Sequence, residues 1–162
     1  MEKYIVSALV QNRSGVLARV SSLFGRRGFN IDSLTVSPTT DEKISRVTII
    51  VIGDEYTLGQ VLKQMAKLEE CIKVVQIEEE AAFCWELLLV KIRGGASVKE
   101  SVREICDVYG AAVLETHQDT IIVRMDGAPS KINQFLSVVS IFDIVESSRT
   151  GVTAIHKEEK NA

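Results

Sequence analysis

Few side chains in this sequence have the type and spacing that chemistry requires. The only histidines are His117 and His156. Neither has a cysteine or a ligand-spaced carboxylate near it in the chain, so no metal site is expected. Cys71, Cys84 and Cys106 are odd in number, far apart and in no CxxC pair. They read as reduced, mostly buried small hydrophobes in a reducing compartment. The zinc-protease, serine-hydrolase and Walker phosphate-loop patterns are absent. "RGGAS" at 93–97 is glycine-rich and precedes a helix, but without the Walker lysine it reads as a turn feeding a capped helix. "EEE" at 78–80 reads as a solvated linker instead of an acid–base pair. No catalytic residue is expected.

One stretch remains, "NRSGVLARV", Asn12 to Val20. A helix start leaves backbone N–H groups without intrahelical partners, and its dipole attracts anions. Gly15, Val16 and Leu17 would present such groups, and Asn12 adds an amide donor and acceptor beside them. Two readings stay open from these residues alone. One is a plain cap and turn. The other is a carboxylate cradle completed by a neighbouring subunit, with Asn30 receiving an ammonium group while Ile31 and Val36 wall in an aliphatic side chain. The ligand of such a corner is a small amino acid. "NRS" is formally a glycosylation sequon, but the start "MEKYIVSALVQNRSG" lacks a signal-peptide pattern, and a cytoplasmic protein is expected.

The chain's composition narrows the classes further. At 162 residues, 46% hydrophobic and 25% charged, it is long enough for one domain or two small ones. Its formal net charge of −3 offers no global basic field, so neither nucleic acid nor an anionic membrane is an expected partner. No window is apolar for the ~18 residues of a membrane span. "RGF" at 27–29 begins like an RNA-recognition motif, but Asn30 and Ile31 do not continue it. "VQNRSGV" vaguely resembles the anion loop of acylphosphatases with the wrong spacing; a small hydrolase of that type is the remote alternative.

The elements that must position the corner follow from periodicity. "YIVSALV" suits a strand, and Val16, Leu17, Val20, Leu23 and Phe24 form one face of a helix. Ser14 is the expected N-cap, and Gly28 the stop. "FNIDSLTVS" and "ISRVTIIVI" read as a hairpin. A second helix, begun at Asp54 or by a Thr57–Gln60 capping box, carries Leu58, Val61, Leu62, Met65 and Leu68, and "CIKVVQIEE" is the fourth strand. The second half repeats the order. "FCWELLLVKIR" leads into a helix boxed by Ser97 and Glu100 and ended at Gly110. "AAVLETH" and "TIIVRM" turn at Gln118–Asp119. Pro129 opens the last helix, and "IFDIVESS" with "VTAIH" closes the sheet, interrupted at Thr150–Gly151. The fold class is therefore α+β, with two tandem ferredoxin-like βαββαβ domains at residues 1–78 and 79–162. In "ELLLVKI", Leu87 and Leu89 point one way while Leu88, Val90 and Ile92 point the other. Two helices cover only one face of a sheet, so an oligomer is expected.

"NRSGVLARVSSLFGRRGFNIDSLTVSPT", followed by "SRVTI" and "GD", resembles the small, regulatory subunit of acetolactate synthase (acetohydroxyacid synthase). The likeness continues through "QVLKQMAKLEECIKV" and "ELLLVKI" to "RTGVTAI", and departs at Cys84–Trp85, "VLETHQD" and "MDGAPSK". It implies an N-terminal ACT domain and a homodimer. It also implies no active site of its own, a large catalytic subunit as partner, and feedback inhibition by valine or another branched-chain amino acid. Thiamine diphosphate, magnesium and FAD would belong to the catalytic subunit only, with no cofactor in this chain. The effector residues it implies are Asn12, Gly15, Val16 and Leu17 of one copy with Asn30, Ile31 and Val36 of the other. A stand-alone amino-acid sensor acting on another partner is the alternative.

Overall fold

The computed structural model describes residues 2–158. Its first half runs β1 (Glu2–Gln11), α1 (Val16–Arg27), β2 (Asn30–Pro38), β3 (Ile44–Gly53), α2 (Glu55–Met65) and β4 (Cys71–Ile77). After a 3-10 turn at Glu79–Ala81 come β5 (Ala82–Arg93), α3 (Ala96–Tyr109), β6 (Ala112–Thr116), β7 (Thr120–Gly127), α4 (Pro129–Val139), β8 (Asp143–Arg149) and β9 (Thr153–His156). Both halves are βαββαβ, and the class is α+β. One compact unit holds the described residues up to Phe83 and those from Gly151 onward; Cys84–Thr150 form the other. By its contacts β9, placed with the second domain on sequence, thus falls in the first unit.

In the first unit the antiparallel sheet has the order β2-β3-β1-β4. Alternation along β1 sends Val6, Ala8 and Val10 toward the helices. There they join Val47, Ile49 and Val51 of β3, Val16, Val20 and Phe24 of α1, and Leu58, Val61 and Met65 of α2 in one buried core. Helix α1 reaches this core because its apolar residues recur at i, i+4 and i+8. It ends at Gly28, in the left-handed region at φ 68°, where the Phe29 N–H returns to the Phe24 carbonyl at 3.1 Å. Helix α2 starts at Asp54, whose carboxylate accepts from the Thr57 N–H at 2.8 Å. The opposite face of the sheet is buried as well, at Ile5, Ser7, Thr48 and Ile50. The C-terminal segment of the same unit lies close to it. A Cβ on Gly151 would stand 2.5 Å from Thr35 Oγ1 and 3.3 Å from the Leu34 carbonyl carbon.

In the second unit Leu88, Val90 and Ile92 of β5 pack with Ile121, Val123 and Met125 of β7 against Val102, Cys106, Ile132, Phe135 and Val139 of the helices. Leu87 and Leu89 stay 37% and 38% exposed on the other face, as the alternation requires. Helix α3 begins at Ala96 after Gly95, with no side-chain cap, so the expected Ser97–Glu100 box does not form. Ser97 already lies inside the first turn, past the position from which its hydroxyl caps a helix. A buried lysine fixes this helix instead: Lys99 donates to the carbonyls of His117, at 2.6 Å, and Gln118 in the β6–β7 turn.

Candidate functional site at the start of the first helix

The corner after β1 is held by hydrogen bonds to the β2–β3 hairpin. The Asn12 backbone N–H donates to the Lys43 carbonyl at 2.7 Å, and its side-chain amide donates to the Glu42 carbonyl at 2.7 Å. Asn12 therefore fastens the loop while its amide oxygen remains an acceptor. Gly15 is in the left-handed region, φ 85°, and is itself the N-cap residue of α1. The expected cap at Ser14 does not form, because the helix opens one residue later, at a position with no side chain. The first-turn N–H groups have no intrahelical acceptors. That of Val16 makes only a long 3.4 Å contact to the Arg13 carbonyl. A Cβ on Gly15 would meet no atom within 4 Å, so the space over the helix start is open.

Val16 is 5% exposed and gives its side chain to the core, so only its N–H faces the corner; Leu17 is 44% exposed beside it. Beneath the corner lies a residue that sequence reading did not single out. Glu70 is 3% exposed, and one of its carboxylate oxygens accepts from Arg19 at 2.5 Å and Arg13 at 3.3 Å. Its carbonyl also accepts from the Gln11 N–H at 2.9 Å, just before the loop. A backbone hydrogen bond, reinforced by the Arg19 and Arg13 guanidinium groups, holds its carboxyl below the usual carboxylate range against the opposing effect of burial. Glu70 thus clamps two arginines that flank the helix start. In "LEECIKV" nothing separates it from the exposed Glu69 except the donors it meets after folding.

The remaining candidates lie on β2. Asn30 and Val36 are exposed and Ile31 is half-buried. Val36 shares a row with Val47 and Ala8, whereas Asn30 shares one with Ile52 and Lys3. Gln11, which leads into the corner, pairs with Ile44 at the other end of the sheet. The eight steps from Lys3 to Gln11 along β1 span about 26 Å. One chain therefore gathers Asn12, Gly15, Val16 and Leu17 but leaves Asn30 at the far end.

An open helix N-terminus on a βαββαβ unit, with three of the seven candidate residues on an edge strand, is the arrangement of an ACT domain. Residues 6–73 match the family model described as the AHAS small subunit-like ACT domain, and residues 85–158 match the small subunit of acetolactate synthase. The chain is 37% identical to the probable acetolactate synthase small subunit of Archaeoglobus fulgidus, over 98% of this chain and 99% of that one. It is 36% identical to the acetolactate synthase isozyme 3 small subunit of Escherichia coli, over 96% of each. The crystal structure of the acetolactate synthase small subunit from Thermotoga maritima superposes with a TM-score of 0.91 at 32% identity, covering 98% of this chain and 99% of that one. The chain belongs to the acetolactate synthase small-subunit family. It is a regulatory subunit without catalysis of its own, the counterpart of a large catalytic subunit. No helix among the described residues is long and apolar enough to cross a membrane.

Proposed function

We propose that this subunit activates the large catalytic subunit and makes it responsive to a branched-chain amino acid, valine first. The observation that carries this reading is the helix start at Gly15, open, uncapped and unobstructed. The ligand's carboxylate would take the N–H groups of α1, with Asn12 beside it. Its ammonium would meet Asn30 of a second copy, and its side chain would lie against Ile31 and Val36 of that copy. Edge strand β2 supports the pairing, since its outer backbone groups face no strand among the described residues. If β2 pairs antiparallel with β2 of a second copy, its Asn30 end meets the Pro38 end of the first. There the hairpin carries Glu42 and Lys43, to which Asn12 is bonded. A homodimer then closes the corner that one chain leaves open.

Valine bound across two copies stabilises one relative arrangement of them. That differential binding is sufficient to shift the holoenzyme between activated and inhibited states. Each charge-assisted hydrogen bond to the carboxylate contributes roughly 1.5–3 kcal/mol. One methylene in the apolar slot changes affinity by only about 1–3 kcal/mol, so valine, leucine and isoleucine are to be compared directly. Thiamine diphosphate, magnesium and FAD are assigned to the catalytic subunit, and the whole complex to the cytoplasm. The test is acetolactate formation by the large subunit with and without this chain and valine. The chain should raise the rate and valine should lower it; no activation and no valine response would overturn the reading.

A further inference from the structure

The first unit contains a second recess, on the sheet face turned away from its helices. It has a volume of about 500 Å³ and is lined by Ser7 and Leu9 of β1, Arg46 of β3, Lys73 and Val75 of β4, and His156 of β9. Strand register fixes its centre. Leu9 stands opposite Arg46 on one side and Lys73 on the other, and Ser7 stands opposite Val75 in the next row of that face. Neighbouring strands are about 4.8 Å apart, so a guanidinium-bearing and an ammonium-bearing side chain flank one leucine and line the same recess.

Both cations are half-buried, and among the described residues neither has a carboxylate partner. Arg46 instead donates to the hydroxyl of Ser7 at 3.0 Å, and Ser7 is itself only 2% exposed. A neutral hydroxyl fixes the guanidinium without cancelling its charge. Two partly desolvated cations lining one recess are unfavourable unless an anion lies between them. The wall contributes a further unmet group, since His156 Nδ1 is buried with no hydrogen-bond partner among the described residues. Lys157, at the rim, is already engaged: it donates to the Glu80 carbonyl at 2.7 Å and lies 5.6 Å over the Phe83 ring. Glu78 and Glu158, also at the rim, are exposed and oppose a second negative charge on a ligand.

We propose that this recess binds a small organic monoanion, its carboxylate held between Arg46 and Lys73 and its short apolar body against Leu9 and Val75. The site is separate from the amino-acid corner and lies within one copy of the chain. It needs no ammonium group on its ligand. Isovalerate, which is valine without its ammonium, is therefore a probe that suits the recess and not the corner.

The full chain, isotopically labelled, is titrated with isovalerate and separately with inorganic phosphate while amide resonances are followed by NMR. Isovalerate should give saturable shifts at Ser7, Leu9 and Val75, with phosphate weaker. Arg46→Gln, whose amide retains a donor for Ser7, and Lys73→Gln on the edge strand should each weaken binding about tenfold, one charge-assisted contact. Gly15→Asp should leave it unchanged. The proposal is overturned by an absence of saturable shifts, by equal affinity for phosphate, or by isovalerate affinity unaltered in both glutamine variants. Loss of isovalerate binding in Gly15→Asp would also overturn it, by placing the ligand at the corner.

Discussion

Gly15 and Glu70 show how differently two residues of one site can be visible. Gly15 combines a left-handed φ with open space, so its lack of a side chain serves both conformation and access. Asn12, Ser14 and Gly15 before an apolar helical pattern mark a helix start on sequence alone. That the cap belongs to Gly15 and not Ser14 depends on one backbone dihedral that no spacing encodes. Gly15→Asp should keep the fold, since aspartate tolerates this region at about 1–2 kcal/mol. It should abolish valine inhibition by placing a fixed carboxylate where the ligand's belongs, while activation of the large subunit persists. Retained inhibition in the variant holoenzyme would refute the site. Glu70 was hidden because its burial arises from the loop and helix that fold over it. Its folded carboxyl titrates below its unfolded value, so the stability it contributes is present above the unfolded pKa and lost as pH falls through the folded one. Glu70→Gln should flatten the dependence of thermal stability on pH below about pH 4.5, measured by calorimetry.

At the scale of elements, the four helices among the described residues and the order of elements along the chain follow from apolar periodicity and from punctuation at Gly28, Gly110 and Pro129. Helix α3 illustrates what periodicity leaves out. Ser97 and Glu100 have the spacing of a capping box, yet the helix begins earlier and is anchored by Lys99 instead. A lysine within a polar helical stretch carries no mark of burial, because the carbonyls it reaches are 18 and 19 positions away. Lys99→Ala should lower Tm by several degrees, since removing a buried partner costs about 1–3 kcal/mol. An unchanged melting curve would show those carbonyls to be satisfied without it. "RTGVTAI" is the other case: read as the end of the second domain, its last residues group with the first unit and bring Gly151 against β2. Gly151→Ala should destabilise by about 1–3 kcal/mol, because its methyl group overlaps Thr35. Because β2 also carries Ile31 and Val36, the same variant should weaken valine inhibition; full stability by denaturant titration would contradict the close approach.

For the whole molecule, the decisive feature of the proposed site is that one chain supplies only part of its residues. Register keeps Asn30 about 26 Å along the sheet from the residue that enters the Gly15 corner. The apolar alternation of the strands called for a further packing surface, but which strand edge meets which lies in the geometry of assembly, not in any one segment. The most direct test is complementation between two variants that each lose valine binding alone. Gly15→Asp chains and Asn30→Ala chains are mixed, allowed to exchange, and titrated with valine by calorimetry. In a mixed dimer, one corner combines intact Gly15 of one copy with intact Asn30 of the other. The shared site should therefore restore binding to about a quarter of the corners after random exchange of a two-fold dimer. Binding that stays absent after demonstrated exchange, or that is undiminished in the unmixed variants, would contradict a site shared between two copies.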